Sequence, residues 1–356
     1  MSFLSNRNCI RRLLGLAALL AGLQAHAATL DLGCYQTADG AITVACAGDS
    51  VDPYFAARAL LSARQAGLDI DAPARAWIAW LLPRQHVDGT FPRFCRIQDE
   101  WQPCARADAD DASLALWIEL LYAVSSCRDM PLAWRASAAR ANAKLQQLFD
   151  RNSGLYHVAD DLPVGLLMDN VEIYAALRNV ARHQRCMHGK AAAQRTLTGA
   201  VKLRVAIVRA FRPPGRTDFA VSTQPQSSTD FYPAAVAQIY PILFRMTPVS
   251  QRRKNFDAWM QAHGAQWLAQ QHDHFPWGLV ALAAAQVGDA ASAACWRKNA
   301  VELRYGAHWN VLEEAAFQAL PQDGAPSDAC PQIFDGSGQP SPTSPDIQPQ
   351  EDSSHE

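Results

Sequence analysis

The sequence predicts an all-α fold, an (α/α)6 toroid of helical hairpins joined by short irregular or β-like turns. Three observations predict it. The middle of the chain is rich in Ala, Leu, Arg and Gln, with apolar residues at helical spacing. Strongly apolar helix starts recur about every 60 residues, and faster near the end, which is the period of a two-helix unit. More polar, amphipathic segments lie between them, as outer helices with one wet face would.

Residues 1–27 read as a signal peptide. Arg7, Arg11 and Arg12 precede an apolar run over 13–23, and Ala25-His26-Ala27 supplies the small-residue cleavage signal. The run is too short for a bilayer, which takes about 20 residues. The mature chain is expected to be periplasmic or secreted, with no stable membrane insertion. Residues 28–50 form an N-terminal segment expected to be tied by a disulfide, and residues 51–330 the toroid. Residues 331–356 are rich in Pro, Ser, Asp and Glu, and are expected to be a disordered tail.

Six inner helices are expected to start near Asp52-Pro53, Asp108-Ala109-Asp110-Asp111, Asp169-Asn170, Thr229-Asp230, Phe275-Pro276-Trp277 and His308-Trp309-Asn310. Outer helices are expected over 72–82, 132–149, 194–211, 249–271 and 290–305. Gly-containing or aromatic turns follow several of them, at 88–91, 152–156 and 274–277. Strand-like alternation is confined to 91–95 and 155–158. An irregular α-solenoid would share much of this periodicity.

Of nine cysteines, Cys9 falls in the signal peptide. The other eight are an even set, which in an oxidising compartment reads as disulfides. Cys34–Cys46 and Cys95–Cys104 would close short loops, leaving Cys127–Cys186 and Cys295–Cys330. Buried free thiols are the alternative. No CxxC or HExxH spacing occurs, and the adjacent His272, Asp273 and His274 read as a polar turn, so neither metal nor cofactor is expected. The net charge is −2 and the basic residues are scattered along the chain, which argues against a nucleic-acid partner.

Parallel inner helices would bring their N-termini to one end of the toroid, where partial positive charge and free N–H groups favour acids. That end would collect Asp52, Asp108, Asp110, Asp111, Asp169 and Asp230 beside Trp277 and Trp309. Carboxylates held together push their pKa values apart, giving one protonated acid and one ionised base. The arrangement resembles the six-hairpin glycosidase superfamily of glucoamylase-like and cellulase-like enzymes. The resemblance spans roughly Asp52 to Leu320 and is carried by Asp88-Gly89-Thr90-Phe91, the Asp108–Asp111 helix start, Leu167–Tyr174 and Thr229–Pro241. It implies hydrolysis of glycosidic bonds in a polysaccharide or oligosaccharide by an inverting acid/base pair. The Ser-Glu-Gly setting of one cellulase family is absent, so roles rest on position. Asp110, Asp111, Asp169 and Asp230 are the catalytic candidates. Asp108, Glu172, Tyr232, Trp277 and Trp309 are the substrate-binding candidates.

Each has a plainer reading. Asp108 or Asp110 could cap its helix, Asp169 and Glu172 could form a capping box, and Asp230 could be a simple cap. Asp160 and Asp161 read as solvent-facing loop acids. Asp108-Ala109-Asp110-Asp111 also resembles the Asp-x-Asp-Asp motif of class II terpene cyclases, whose middle Asp is the general acid. That implies a hydrophobic substrate, which an exported protein seldom meets. Two further alternatives are a non-catalytic saccharide-binding or scaffold protein and a polysaccharide lyase using Tyr174, Tyr232 or His157.

Overall fold

Helices alternate between two concentric layers in a computed structural model that describes residues 28–321 and Cys330, apart from 128, 213, 216–217, 226–229 and 271–274. The expected signal peptide and tail, and His272–His274, lie outside the described residues. The inner layer is α1 (Pro53–Gln65), α3 (Asp110–Ala123), α5 (Leu167–Met187), α7 (Val236–Leu243), α9 (Gly278–Gln286) and α11 (Val311–Ala319). The outer layer is α2 (Asp71–Leu81), α4 (Leu132–Gln147), α6 (Gly189–Phe211), α8 (Val249–Ala269) and α10 (Ala290–Ala300). Each inner helix packs on the next and α11 packs on α1, so the ring is closed.

Burial follows the sequence pattern. In α3 every residue from Asp111 to Leu121 is buried, as an inner helix covered on all sides requires. The outer α4 buries only a stripe, Ser137, Ala138, Ala141, Lys144 and Leu145. Gly278, at the start of α9, lets that helix approach α11 closely. A Cβ there would sit 2.6 Å from the Ala316 Cβ and 2.9 Å from the Trp296 ring.

Among the described residues a sixth outer helix is replaced by residues 28–50, held by Cys34–Cys46. This segment buries Leu30, Leu32, Tyr35 and Ile42. It bonds α11 through Val311 N–H to Val44 O at 2.9 Å, and reaches the loop before α2 through Leu30 N–H to Asp69 O at 2.9 Å. The other three disulfides are Cys95–Cys104, Cys127–Cys186 and Cys295–Cys330, the pairing expected from sequence.

A small antiparallel sheet runs β1 (Ser50–Val51), β2 (Arg93–Ile97), β3 (Glu100–Ala105), with β4 (Phe149–Asp150) and β5 (Leu155–Tyr156) as a second hairpin. β3 lies outside the stretches where alternation was expected, because Pro103 and its polar neighbours hide it. The β2–β3 turn uses Gln98 and Asp99 at φ 51° and 64° instead of glycine. The sheet matters to the site: β1 runs straight into Asp52 while β2 starts with Arg93 opposite it.

Candidate active site

The starts of the inner helices meet one another around one end of the ring. Arg93 links Asp52, before α1, to Asp108, before α3, with ion pairs of 2.7 and 2.8 Å. Asp169 of α5 lies near enough to Asp111 of α3 to raise it electrostatically. Tyr232, before α7, senses Asp169 and Asp108 and stacks on Trp277, before α9, with centroids 5.0 Å apart and planes 16° apart. Gly278 N–H donates to Glu313 Oε2 of α11 at 2.6 Å.

Most of these acids are not helix caps. The first two N–H groups of α3 go to a neighbouring loop: Asp110 and Asp111 N–H both point at Val158 O, at 2.9 and 3.4 Å. The N-cap residue is Ala109, which has no side chain to cap with. Helix α5 starts two residues before Asp169, and Leu167 N–H donates to Val221 O at 2.9 Å. The capping-box reading of Asp169 and Glu172 is therefore overturned, since the cap position is Leu166 and Asp169 lies inside the helix as its third residue. Asp52 does cap its helix, accepting from Tyr54 N–H at 2.9 Å.

Asp111 and Asp169 are buried acids that each leave one oxygen without a partner among the described residues. Asp111 is fully buried and Asp169 is 7% exposed. Asp111 Oδ1 accepts from Ala112 N–H at 2.8 Å, and the Oδ2 atoms of both residues have no hydrogen-bond partner among the described residues. Burial, then Asp169, pushes the Asp111 carboxyl well above the usual carboxylate range. Burial, then Glu172 and Asp108, pushes Asp169 up to about 7. Desolvation disfavours a carboxylate, and a second carboxylate nearby disfavours it further. The pair therefore holds a proton at neutral pH.

Three other candidates land beside this pair. Asp108 is exposed at the rim, held by Arg93. Tyr232 is 48% exposed and, with the half-buried Trp277, offers a flat aromatic face. Trp277 holds left-handed backbone at φ 56°, uncommon for a bulky residue and marking a position fixed by its surroundings.

Others are displaced. Asp110 is half-buried and is raised by burial, while Arg106 and Lys144 nearby oppose that rise. Those bases also bind Asp161 and Asp160, so the two loop acids are ion-paired. In the Asp-x-Asp-Asp stretch the strongest proton holder is thus the last acid, not the middle one. Glu172 is not at the surface: fully buried, it pairs with Arg58 of α1 at 3.0 Å and accepts from the Tyr54 hydroxyl at 3.1 Å, as a floor beneath the acids. Trp309 is corrected likewise. It is 1% exposed, stacked on Trp296 and donating to Glu314 Oε2 at 3.1 Å, so it has no face for a substrate. Asp230 is exposed just before the turn that carries Tyr232. The lyase candidates do not converge: Tyr174 is buried with Arg178 over its ring, and His157 lies 4.0 Å from Asp150.

Sequence reading missed Arg58 and Arg93. Arg58 was findable as the lone charge in the apolar stretch of α1, because a buried guanidinium requires an acid across the ring. Arg93 carries no such signal.

A closed ring of six inner helices defines the six-hairpin, (α/α)6 class of fold, and known structures agree. The chain is similar to an α-amylase from Clostridium perfringens, with TM-score 0.55, 11% identity, and coverage of 81% of this chain and 95% of the other. It is similar to a glycosidase solved in complex with glucose, with TM-score 0.52, 14% identity, and coverage of 80% and 91%. It is also similar to a rhamnosidase from Klebsiella oxytoca with rhamnose bound, with TM-score 0.51 and 14% identity, covering 75% of this chain but 57% of that one. No protein-family model matches the sequence, and no curated protein matches it by sequence. No described helix is long and apolar enough to cross a membrane.

Proposed function

We propose that the protein is an exported glycoside hydrolase, with Asp111 and Asp169 as its acid/base pair. The observation that carries this reading is that both carboxyls are buried and each leaves one oxygen unpartnered. Burying an acid in that way costs stability, and catalysis is the compensation it serves. Asp111, the stronger proton holder, protonates the departing glycosidic oxygen. Asp169, ionised as pH passes about 7, takes a proton from the attacking water. The product then has inverted anomeric configuration. Tyr232 and Trp277 give a sugar ring its apolar platform. The sugars bound by two of the similar structures support a saccharide substrate. Four disulfides and the leader-like residues 1–27 support a periplasmic or secreted site of action.

A lyase reading is disfavoured by the same electrostatics. Burial, Asp169 and Asp108 push the Tyr232 phenol up, which keeps it protonated and so unavailable to abstract a proton. The acids beside it would repel the uronates that lyases cleave.

The test is release of reducing sugar from a panel of neutral and charged polysaccharides. Asp111→Asn and Asp169→Asn should each lower the rate at least 100-fold with unfolding still cooperative. If neither change slowed hydrolysis, the assignment would be wrong; binding without any product would leave a saccharide-binding protein. Proton NMR of the first product reads the anomeric outcome.

A further inference from the structure

At the end of the ring opposite the acids, the C-terminal halves of α1, α3, α5 and α7 enclose a cavity of about 240 Å3. Its charged lining is Arg64, Glu119, Arg178, Arg182 and Arg245, with His183 beside them. The one carboxylate, Glu119, is buried, accepts from Asn179 Nδ2 at 2.6 Å and attracts Arg182 and Arg64, one negative charge against four guanidinium groups. Arg64 reaches Asp71 at 3.5 Å. Among the described residues, Arg178, Arg182 and Arg245 have no ion pair. Arg178 donates to the Arg245 carbonyl and Arg182 to Asn179 Oδ1, both at a long 3.4 Å.

These side chains repel one another. Arg178 and Arg182 stand four apart on α5, where like charges are destabilising. Burial, then Arg245 and Arg178, hold the nearby Arg252 below its ordinary value. Burial, then Arg64 and Arg182, hold His183 down. Helix ends explain part of the cluster, since cations offset the negative C-terminus within the last turn. That covers Arg64 and Arg245. It does not cover Arg178 and Arg182, because the last-turn base of α5 is Arg185.

We propose that this cavity is a second ligand site, independent of the acidic end, and that it takes a phosphoryl group held by Arg178, Arg182 and Arg245. Guanidinium forks match tetrahedral oxyanions with two parallel hydrogen bonds each, and several around one cavity suit a group with more than one anionic oxygen. The volume lies below the roughly 300 Å3 at which pockets for drug-sized molecules begin, which suits a small anion or the head of a larger ligand. The phosphoryl group is either free in solution or carried on a lipid headgroup.

The test uses the whole mature chain at low ionic strength. Calorimetric titration with inorganic phosphate is one arm. Co-sedimentation with phosphatidylcholine vesicles, with and without phosphatidylglycerol, is the other. Saturable one-to-one phosphate binding is expected, weakened at least tenfold by Arg178→Gln combined with Arg182→Gln. Arg245→Gly provides a second variant suited to the left-handed backbone there, φ 58°. Phosphate binding without sedimentation assigns a soluble ligand, and phosphatidylglycerol-dependent sedimentation lost in the variants assigns a headgroup. No saturable binding in either arm, or binding unchanged in both variants, overturns the site. Asp111→Asn should leave phosphate binding unchanged, which separates this result from the hydrolase reading.

Discussion

Tyr232 lies almost parallel to Trp277, ring centroids 5.0 Å apart, although the two residues precede different inner helices. The stack forms beside the pair of buried acids, since Asp169 acts on the Tyr232 phenol. An exposed stacked pair costs apolar hydration unless something covers it. Tyr232→Ala should therefore raise KM about tenfold, roughly 1.4 kcal/mol, with a smaller change in kcat. Steady-state kinetics on the best polysaccharide separates the two constants. A loss confined to kcat would place the stack outside the binding platform.

Asp169 links the site to stability. Its carboxyl titrates near 7 in the fold against 3.8 ordinarily, so between those values the folded chain binds more protons than the unfolded one. Stability contributed by this group is then present at acid pH and lost as pH rises through about 7. The shift corresponds to on the order of 4 kcal/mol at 1.36 kcal/mol per unit. Asp169→Asn should raise the melting temperature at pH 8 and do much less at pH 5. In the wild type, kcat/KM should climb as pH passes 7, when the base ionises, and fall again once Asp111 loses its proton. A melting temperature unchanged by Asp169→Asn at pH 8 would contradict the buried-acid account.

The ring and its helix order were legible because burial on all sides writes a continuous apolar run, as in α3, while outer helices such as α4 show one stripe. The disulfide pairs were legible from count and spacing. The acids were legible only as a group. Which of them turns inward depends on which loop carbonyls satisfy the helix starts, and Val158 and Val221 do so from segments that carry no periodic pattern. Asp110 and Asp111 differ by one residue and face different neighbours for that reason. Trp309 shows the opposite error: an aromatic at a helix start looks like a platform, yet Glu314 one turn later draws its indole inward.

The floor of the site should be the most mutation-sensitive polar pair. Arg58 and Glu172 are both buried and 3.0 Å apart, joining α1 to α5. Removing one partner strands a charge, which costs about 3–5 kcal/mol, while replacing both with apolar residues is far milder. Glu172→Gln should thus destabilise more than Arg58→Met combined with Glu172→Leu. Denaturant unfolding of the three proteins decides it; a double variant no more stable than the single one would mean that the pair contributes more than mutual neutralisation.

Gly278 and Gly199 make a controlled comparison of two helical glycines. At Gly278 an added Cβ would lie 2.6 Å from the Ala316 Cβ, 2.7 Å from Glu313 Oε2 and 2.9 Å from the Trp296 ring, whereas at Gly199 nothing lies within 4 Å. Overpacking costs about 1–3 kcal/mol, and the displaced neighbour is the acid that receives the Gly278 N–H. Gly278→Ala should lower the melting temperature by several degrees. Gly199 sits on the wet face of α6, where alanine is favoured over glycine by about 0.8–1 kcal/mol, so Gly199→Ala should raise it. Equal shifts for the two substitutions would mean that α9 is not seated against α11 as closely as the ring requires.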